Sequence, residues 1–267
     1  MSAHNSILAL TALLSAAPLG AQATPADALL TRNGQELGLT LSHYKYEEPD
    51  FMQLEALKLG LDYATTLMID AEQTWSMRVE LRYANGQADY SSNGTGEADN
   101  QPDWYVDARA LFGKDFDYKS YVLKPYLGLG YRYLFSDLRG ESSTGAQGYR
   151  RTSHYTYLPL GVVHRVGLAN GSRFENTLEF DYLLLGQQKS YMSDYLEAIG
   201  YSENSADVTN QQHDGYGIRL ASMYQFSAWS VGPFLSYWNI GKSEVDPAGH
   251  EPKNNTLEYG LKGAYKF

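Results

Sequence analysis

Cysteine is absent from the 267 residues, which removes disulfide scaffolding, thiol catalysis, Cys-based metal sites and the acylated cysteine of a lipoprotein. Also missing is any run of about 18 apolar residues, and the mean hydropathy is −0.43, so a bundle of membrane helices is excluded. Basic residues are sparse: the net charge is −10, and Arg150–Arg151 is the only adjacent basic pair. No stretch could neutralise a row of phosphates, so nucleic acid is not an expected partner. The histidines, at 4, 43, 154, 164, 213 and 250, show no metal-ligand spacing, and no phosphate-binding glycine loop or dinucleotide fingerprint occurs. No metal or other cofactor is expected.

What the chain does have is alternation. In Thr74–Ala84, Trp75, Met77, Val79, Leu81 and Tyr83 alternate with Ser76, Arg78, Glu80 and Arg82, a period of two that belongs to a strand with one apolar and one charged face. Similar segments run through Glu36–Tyr46, Leu54–Thr66, Asp103–Phe112, Val122–Phe135, His154–Val166, Arg173–Leu185, Tyr216–Phe226, Trp229–Ile240 and Asn255–Phe267. Pro125, Pro159 and Pro233 fall inside three of them and mark bulges or strand ends, because proline cannot donate to a ladder. A soluble sandwich could use such strands against a core, and lipid would serve the apolar face equally well.

Connection lengths separate these readings. Leu67–Gln73, Gly113–Tyr121, Gly167–Ser172 and Ser227–Ala228 are short, whereas of the five connections on the other side Asn85–Pro102, Ser136–Ser153 and Gly186–Gly215 are long and polar, Gly241–Asn254 is intermediate and Glu47–Gln53 is short. Long and short connections alternating in this phase are what a membrane barrel has, with tight turns on one side and loops on the other, and a sandwich gives no reason for them. Segments of about 10–13 residues tilted near 40° cover a hydrocarbon layer of about 25 Å. Trp75, Trp104, Phe112, Phe226, Trp229, Tyr265 and Phe267 sit near segment ends, as two interfacial girdles require. The fold class expected is all-β, a closed antiparallel up-and-down transmembrane barrel of about ten strands.

The final segment has Leu257, Tyr259, Leu261, Gly263, Tyr265 and Phe267 on one parity and Glu258, Lys262 and Lys266 on the other. An aromatic at the end of such a strand resembles the last strand of bacterial outer-membrane β-barrel proteins. The resemblance implies that Tyr265 and Phe267 form the signal read by the barrel-assembly machinery, and that the protein resides in a Gram-negative outer membrane among lipid and lipopolysaccharide, as a monomer. The apolar stretch Ile7–Leu14 followed by Ala21-Gln22-Ala23 reads as an export signal, although only His4 stands where Lys or Arg is usual. Residues 1–23 are assigned to the signal peptide, 24–34 to a short periplasmic segment and 35–267 to the barrel.

The inward parity carries Lys58, Asp62, Arg78, Glu80, Arg82, Asp107, Arg109, Arg132, Glu175, Glu179, Asp181, Arg219, Glu258 and Lys262. Charges at that density must pair or meet water, so these lumen candidates either brace a narrow polar core or line a small porin-like channel. A third possibility is a structural or surface-binding barrel that acts through its loops. Acidic loop residues, among them Asp89, Glu97, Asp99, Asp103, Asp194, Glu197 and Asp207, would give any conducting form a weak cation preference. An enzyme is not expected. The ten-strand count is similar to that of the omptin proteases, which carry an Asp–His pair and an acidic pair at the mouth. His213–Asp214 with Asp99 and Asp103 would be the counterparts, without a matching motif around them, and lipid-directed hydrolysis at the rim has no Ser–His arrangement to support it.

Within the longest loop, Ser193–Gly200 reads as one or two helical turns with Ser193 as N-cap and Gly200 as stop; it could form a lid or pack on neighbouring loops. The two faces also predict that Leu81→Arg, on the lipid side, costs about 2–4 kcal/mol and that Arg82→Leu costs less.

Overall fold

The computed structural model describes residues 28–201, 207–244 and 249–267. Its strands are β1 (Gly34–Glu48), β2 (Met52–Met68), β3 (Trp75–Ser92), β4 (Gly96–Lys114), β5 (Phe116–Asp117), β6 (Tyr121–Asp137), β7 (Arg150–Gly167), β8 (Arg173–Ser190), β9 (Val208–Gln212), β10 (Gly215–Phe226), β11 (Trp229–Ile240) and β12 (Asn254–Lys266), with one helix, α1 (Met192–Ala198). β5 prolongs β4 beyond Asp115 along the same neighbour, β6, and β9 precedes β10 along the same neighbour, β8. The result is ten antiparallel staves. The ring closes where β1 pairs β12, from Glu36↔Lys266 to Glu47↔Asn255. Among the described residues no helix is long and apolar enough to cross a membrane; the crossing is made by strands.

Parity decides which way each side chain points. Leu37, Leu39, Leu41, Leu57, Leu59, Leu61, Leu127, Leu129 and Leu178 are exposed on the outside of the ring, while Lys58, Asp107, Arg132, Glu179, Asp181 and Glu258 are buried inside it. Such an inversion is stable only where the outside meets lipid. Aromatic bands bound the apolar belt. At the turn end Trp75 stacks on Phe112 at 4.9 Å and Trp229 lies 4.9 Å from Tyr265; at the other, Trp104 contacts Tyr133 and Phe135, both at 5.3 Å. Trp75 and Tyr83 bracket the belt on β3, a rise of about 20 Å for a tilted strand.

The strands do not end at the upper band. The Asn85–Pro102 stretch, expected to be a long loop, is mostly ladder: Ala88↔Gln101, a bulge, then Tyr90↔Ala98 and Ser92↔Gly96, leaving 93–95 as the turn. The physical reason is that above the lipid both faces of the hairpin meet water. The apolar alternation stops there while backbone pairing continues, and a sequence reading keyed to alternation stops with it. The three prolines each sit at a gap in a ladder: Pro125 at the break between β4 and β5, Pro159 between Leu127↔Leu160 and Gly130↔Tyr157, and Pro233 between Ala221↔Phe234 and Tyr224↔Val231.

Helix α1 differs from expectation at its start. Its N-cap is Tyr191 and makes no side-chain cap bond, because Ser193 Oγ is drawn to Asp207 instead, at 2.7 Å. Gly200 does terminate it, at φ 88°, with Tyr201 N–H donating to Leu196 O at 2.8 Å.

Height along one outward face yields a test. Leu81→Arg, inside the belt, should lower folding stability in bilayers by about 2–4 kcal/mol, and Gln87→Arg, outward on the same strand above the upper band, by about 0–1. Urea titrations of the two variants refolded into vesicles measure this; equal losses would misplace the membrane.

Candidate functional site

The interior is built in tiers. A closed ring of ten tilted strands has a backbone diameter of about 20 Å, so only long side chains meet across it, and those present are Arg, Glu, Tyr and Trp. The tier nearest the turns is a chain of alternating charge that runs round the wall and then crosses it. Lys262 lies 3.1 Å from Glu36, Glu36 3.5 Å from Arg78, Arg78 2.6 Å from Glu80, and Glu80 2.6 Å from Arg109. Arg109 pairs with Glu179 on the far side; Glu179 is 3.2 Å from Arg219, which also reaches Asp181 at 2.8 Å and Asp107 at 2.7 Å. Tyr126 and Tyr157 donate to Glu179 and Asp107, each at 2.6 Å.

Above it, Glu258 accepts from Ser42 Oγ and Tyr105 OH, both at 2.7 Å, and from Arg82 at 2.8 Å. Asp62 stands 3.9 Å from both Arg82 and Lys262. Lys58 pairs with Asp103, and the Arg132 guanidinium lies 4.5 Å from the Tyr105 ring and 5.7 Å from the Trp238 ring. The next tier is aromatic. Trp238 of β11 meets Tyr157 of β7 edge-on at 5.0 Å and Tyr155 at 6.3 Å, Tyr44 faces Tyr105 at 6.3 Å, and Leu183 and Ile240 fill the remainder, all buried. Gly130 makes this possible, since a Cβ there would come within 2.2 Å of the Tyr157 ring.

Two cavities flank these tiers. The one at the turn end, 460 Å³, is roofed by the charged tier and partly floored by residues 28–32. The wider one, 960 Å³, is an outer cup lined by Phe51, Met52, Tyr90, Leu138, Met192, Tyr195 and Leu196, with Glu48, Arg151 and Glu251 at its base. Arg151 bridges Glu48, at 2.5 Å, and Glu251, tying the last loop to β1 and β7. Burial, and next to it the neighbouring Glu48 carboxylate, push Glu251 up to about 7 against the opposing pull of Arg151. Helix α1 is fixed to the rim by a two-point contact of Arg150 with Asp194, 2.7 Å on each branch, which holds that carboxyl below the usual range.

No protein-family model and no curated protein matches the chain. Among solved structures, the outer membrane protease OmpT from Escherichia coli matches 90% of this chain and 100% of its own at 9% identity, with a TM-score of 0.54. The β domain of the Bordetella autotransporter BrkA matches at 13% identity over 88% and 100%, TM-score 0.42, and a major outer membrane protein from Thermus thermophilus at 12% over 89% and 100%, TM-score 0.38. The apolar exterior, the paired girdles and the closed ring call for lipid, and the barrel fold is the one shared with the outer membrane protease. The chain has the fold of outer-membrane β-barrel proteins.

In this barrel the residues weighed for rim chemistry are dispersed among other duties. His213 and Asp214 are exposed at the break between β9 and β10. Asp103 is buried, committed to Lys58 and to Ser136 Oγ at 2.6 Å, so it is a core group where the sequence suggested a mouth charge. Of the other acidic loop residues, Asp194 pairs with Arg150 and Asp207 with Lys189 at 3.0 Å. Glu175 lies at the turn end, 2.6 Å from Arg165. Tyr265 and Phe267 stack at 6.2 Å on the exterior, and Phe267 exchanges two 2.9 Å backbone bonds with Gln35.

Two features escaped the sequence. Leu29 and Thr31, in the segment assigned to the periplasm, are buried in the barrel end, where Thr31 N–H donates to Asp115 at 2.5 Å and Arg165 donates to the Thr31 hydroxyl at 2.9 Å. The aromatic tier was signalled only by Tyr44, Tyr105, Tyr155, Tyr157 and Trp238 standing on the polar parity. The expectation that Arg82→Leu is mild also reverses, because Glu258, 1% exposed, would lose its cation. That variant should cost about 3–5 kcal/mol, measured by urea unfolding, with Arg82→Lys retaining part of it.

The Glu251 tie predicts a pH dependence. An acid whose folded-state pKa is raised favours its protonated form, so its contribution is complete below the ordinary carboxylate pKa and is lost as pH rises through about 7. Exchange protection of the Ser243 and Glu251 amides, which close that loop's base through Ser243 N–H to Glu251 O at 3.0 Å and Glu251 N–H to Ser243 Oγ at 2.8 Å, should fall between pH 6 and 8, and Glu251→Gln should flatten the profile.

Proposed function

We propose that this protein is a narrow, sealed polar-lumen barrel that works at the cell surface through its outer cup, in preference to a diffusion channel. The observation that carries the reading is the stack of cross-lumen contacts between the two cavities. Tyr105 of β4 to Glu258 of β12, Arg132 of β6 to Trp238 of β11, Arg82 of β3 to the Phe234 ring of β11 at 4.4 Å, and Arg219 of β10 to Asp107 of β4 each join walls three or four staves apart. Opening a path for a hydrated solute would require breaking several buried charge-assisted pairs together, each worth about 1.5–3 kcal/mol. The cup supplies what a surface-binding role needs: a concave space of ligand size, apolar walls and a few convergent polar groups. Its walls stand on long paired strands, and α1 is anchored to the rim by Asp194.

Reconstitution in planar bilayers tests this. No discrete openings are expected from the intact protein, nor from a deletion of residues 191–201, because the seal lies below the cup. Steady conductance in the intact protein would restore the channel reading. Conductance in the deletion alone would make α1 the gate of a channel.

A further inference from the structure

The cavity at the turn end has an electrostatic character at odds with the rest of the chain. The whole sequence carries net charge −10, yet Arg78, Lys124, Arg165, Arg173 and Lys266 converge on this 460 Å³ space. Arg78 and Arg165 have their charge answered, by Glu36 and Glu80 and by Asp115 and Glu175 respectively. The other three make no salt bridge among the described residues, and the acids that act on them from a distance, Glu175 and Asp115, are already paired with Arg165. Arg173 spends its donors on two neutral acceptors, Gln225 at 2.7 Å and the Ala28 carbonyl at 2.6 Å. Lys266 stands exposed at the rim. Lys124 is only 5% exposed, lies on the cavity wall, and among the described residues has neither an ion-pair partner nor a hydrogen bond. Its ammonium opens on the cavity without a direct partner, whereas every other buried cation described along the lumen is paired or held against aromatic rings.

We propose that this cavity is a binding site for a phosphate-bearing anion, with Lys124 as its inner charge, Arg173 as its side wall and Lys266 at its entrance. A phosphate group suits the arrangement better than a carboxylate, since its oxygens can be shared among cations approaching from three staves, β6, β8 and β12. The space exceeds what inorganic phosphate fills, so a phosphate monoester or a lipid headgroup fits as well. The site lies below the sealed tiers and is reached from the side on which β1 begins and β12 ends.

The test is calorimetric titration of the purified full-length barrel in a non-ionic maltoside detergent with inorganic phosphate, alongside mass spectrometry of phospholipid co-purifying with it. Saturable phosphate binding that weakens about tenfold or more in Lys124→Met, and that falls with added salt, supports the site and a soluble source. Phospholipid retained by the native protein and lost from Lys124→Met and Arg173→Gln supports the same chemistry with a lipid source. Lys124→Met removes an unpaired buried charge, so it should fold at least as well as the native chain, and phosphate should raise the thermal midpoint of the native chain alone. Binding of neither source, or binding unchanged in Lys124→Met, overturns the proposal.

Discussion

A strand ring that must show lipid on one face turns every second residue inward, where backbone geometry leaves a cylinder about 20 Å across. Aliphatic side chains are too short to close that space, so the interior depends on guanidinium–carboxylate pairs that reach between distant walls. Arg219 alone contacts Glu179 and Asp181 on the adjoining stave and Asp107 on an opposed one. Such pairs gain little net stability over well-packed apolar residues, because desolvation offsets most of their attraction. Their consequence lies in what happens when one member is absent: the survivor is a buried charge. That asymmetry ties each stave's position to the others and makes the tiers open together or not at all.

The aromatic tier depends in turn on the charged ones. Tyr105, Tyr126 and Tyr157 each bury a ring and donate a hydroxyl proton to Glu258, Glu179 and Asp107. A tyrosine can fill space like an apolar residue while satisfying a carboxylate, which suits a core built from polar parity positions. Gly130 and Gly161 lie beneath the Tyr157 and Tyr126 rings, where a Cβ would come within 2.2 and 2.3 Å. The 23 tyrosines are therefore partitioned: rings on the lipid parity join the girdles, and rings on the inward parity fill the lumen.

Much of the ring was legible because lipid imposes a strict rule on one face. Period-two alternation located all ten staves, the phase of the connection lengths located their turns, and the proline positions located the ladder gaps. Legibility failed where the rule relaxes. Above the upper girdle the Asn85–Pro102 hairpin is wet on both faces, so pairing persists without alternation. Inside the barrel, parity states that Glu258 and Arg82 point inward but not that they meet; their contact spans 176 positions of sequence and is fixed by registers summed around the ring. Asp103 illustrates the cost of reading locally. Next to a polar stretch it looks like a loop acid, and only the pairing of β2 with β3 and of β3 with β4 brings it to Lys58.

The two ends of the barrel are electrically unlike, and the cross-lumen tiers stand between them. At the outer rim carboxylates outnumber cations, and Arg139, Arg150, Arg151 and Lys189 are each engaged with an acid. At the turn end, cations outnumber acids around a shared cavity. In an open water-filled pore, mobile ions would screen both ends within about 8–10 Å and the difference would have little effect. With aromatic and salt-bridged tiers in between, each end keeps its own field, so a ligand at one end need not influence the other. A barrel of this construction offers two independent surfaces on opposite sides of one membrane: an apolar-walled cup with an acidic rim above, and a basic recess below.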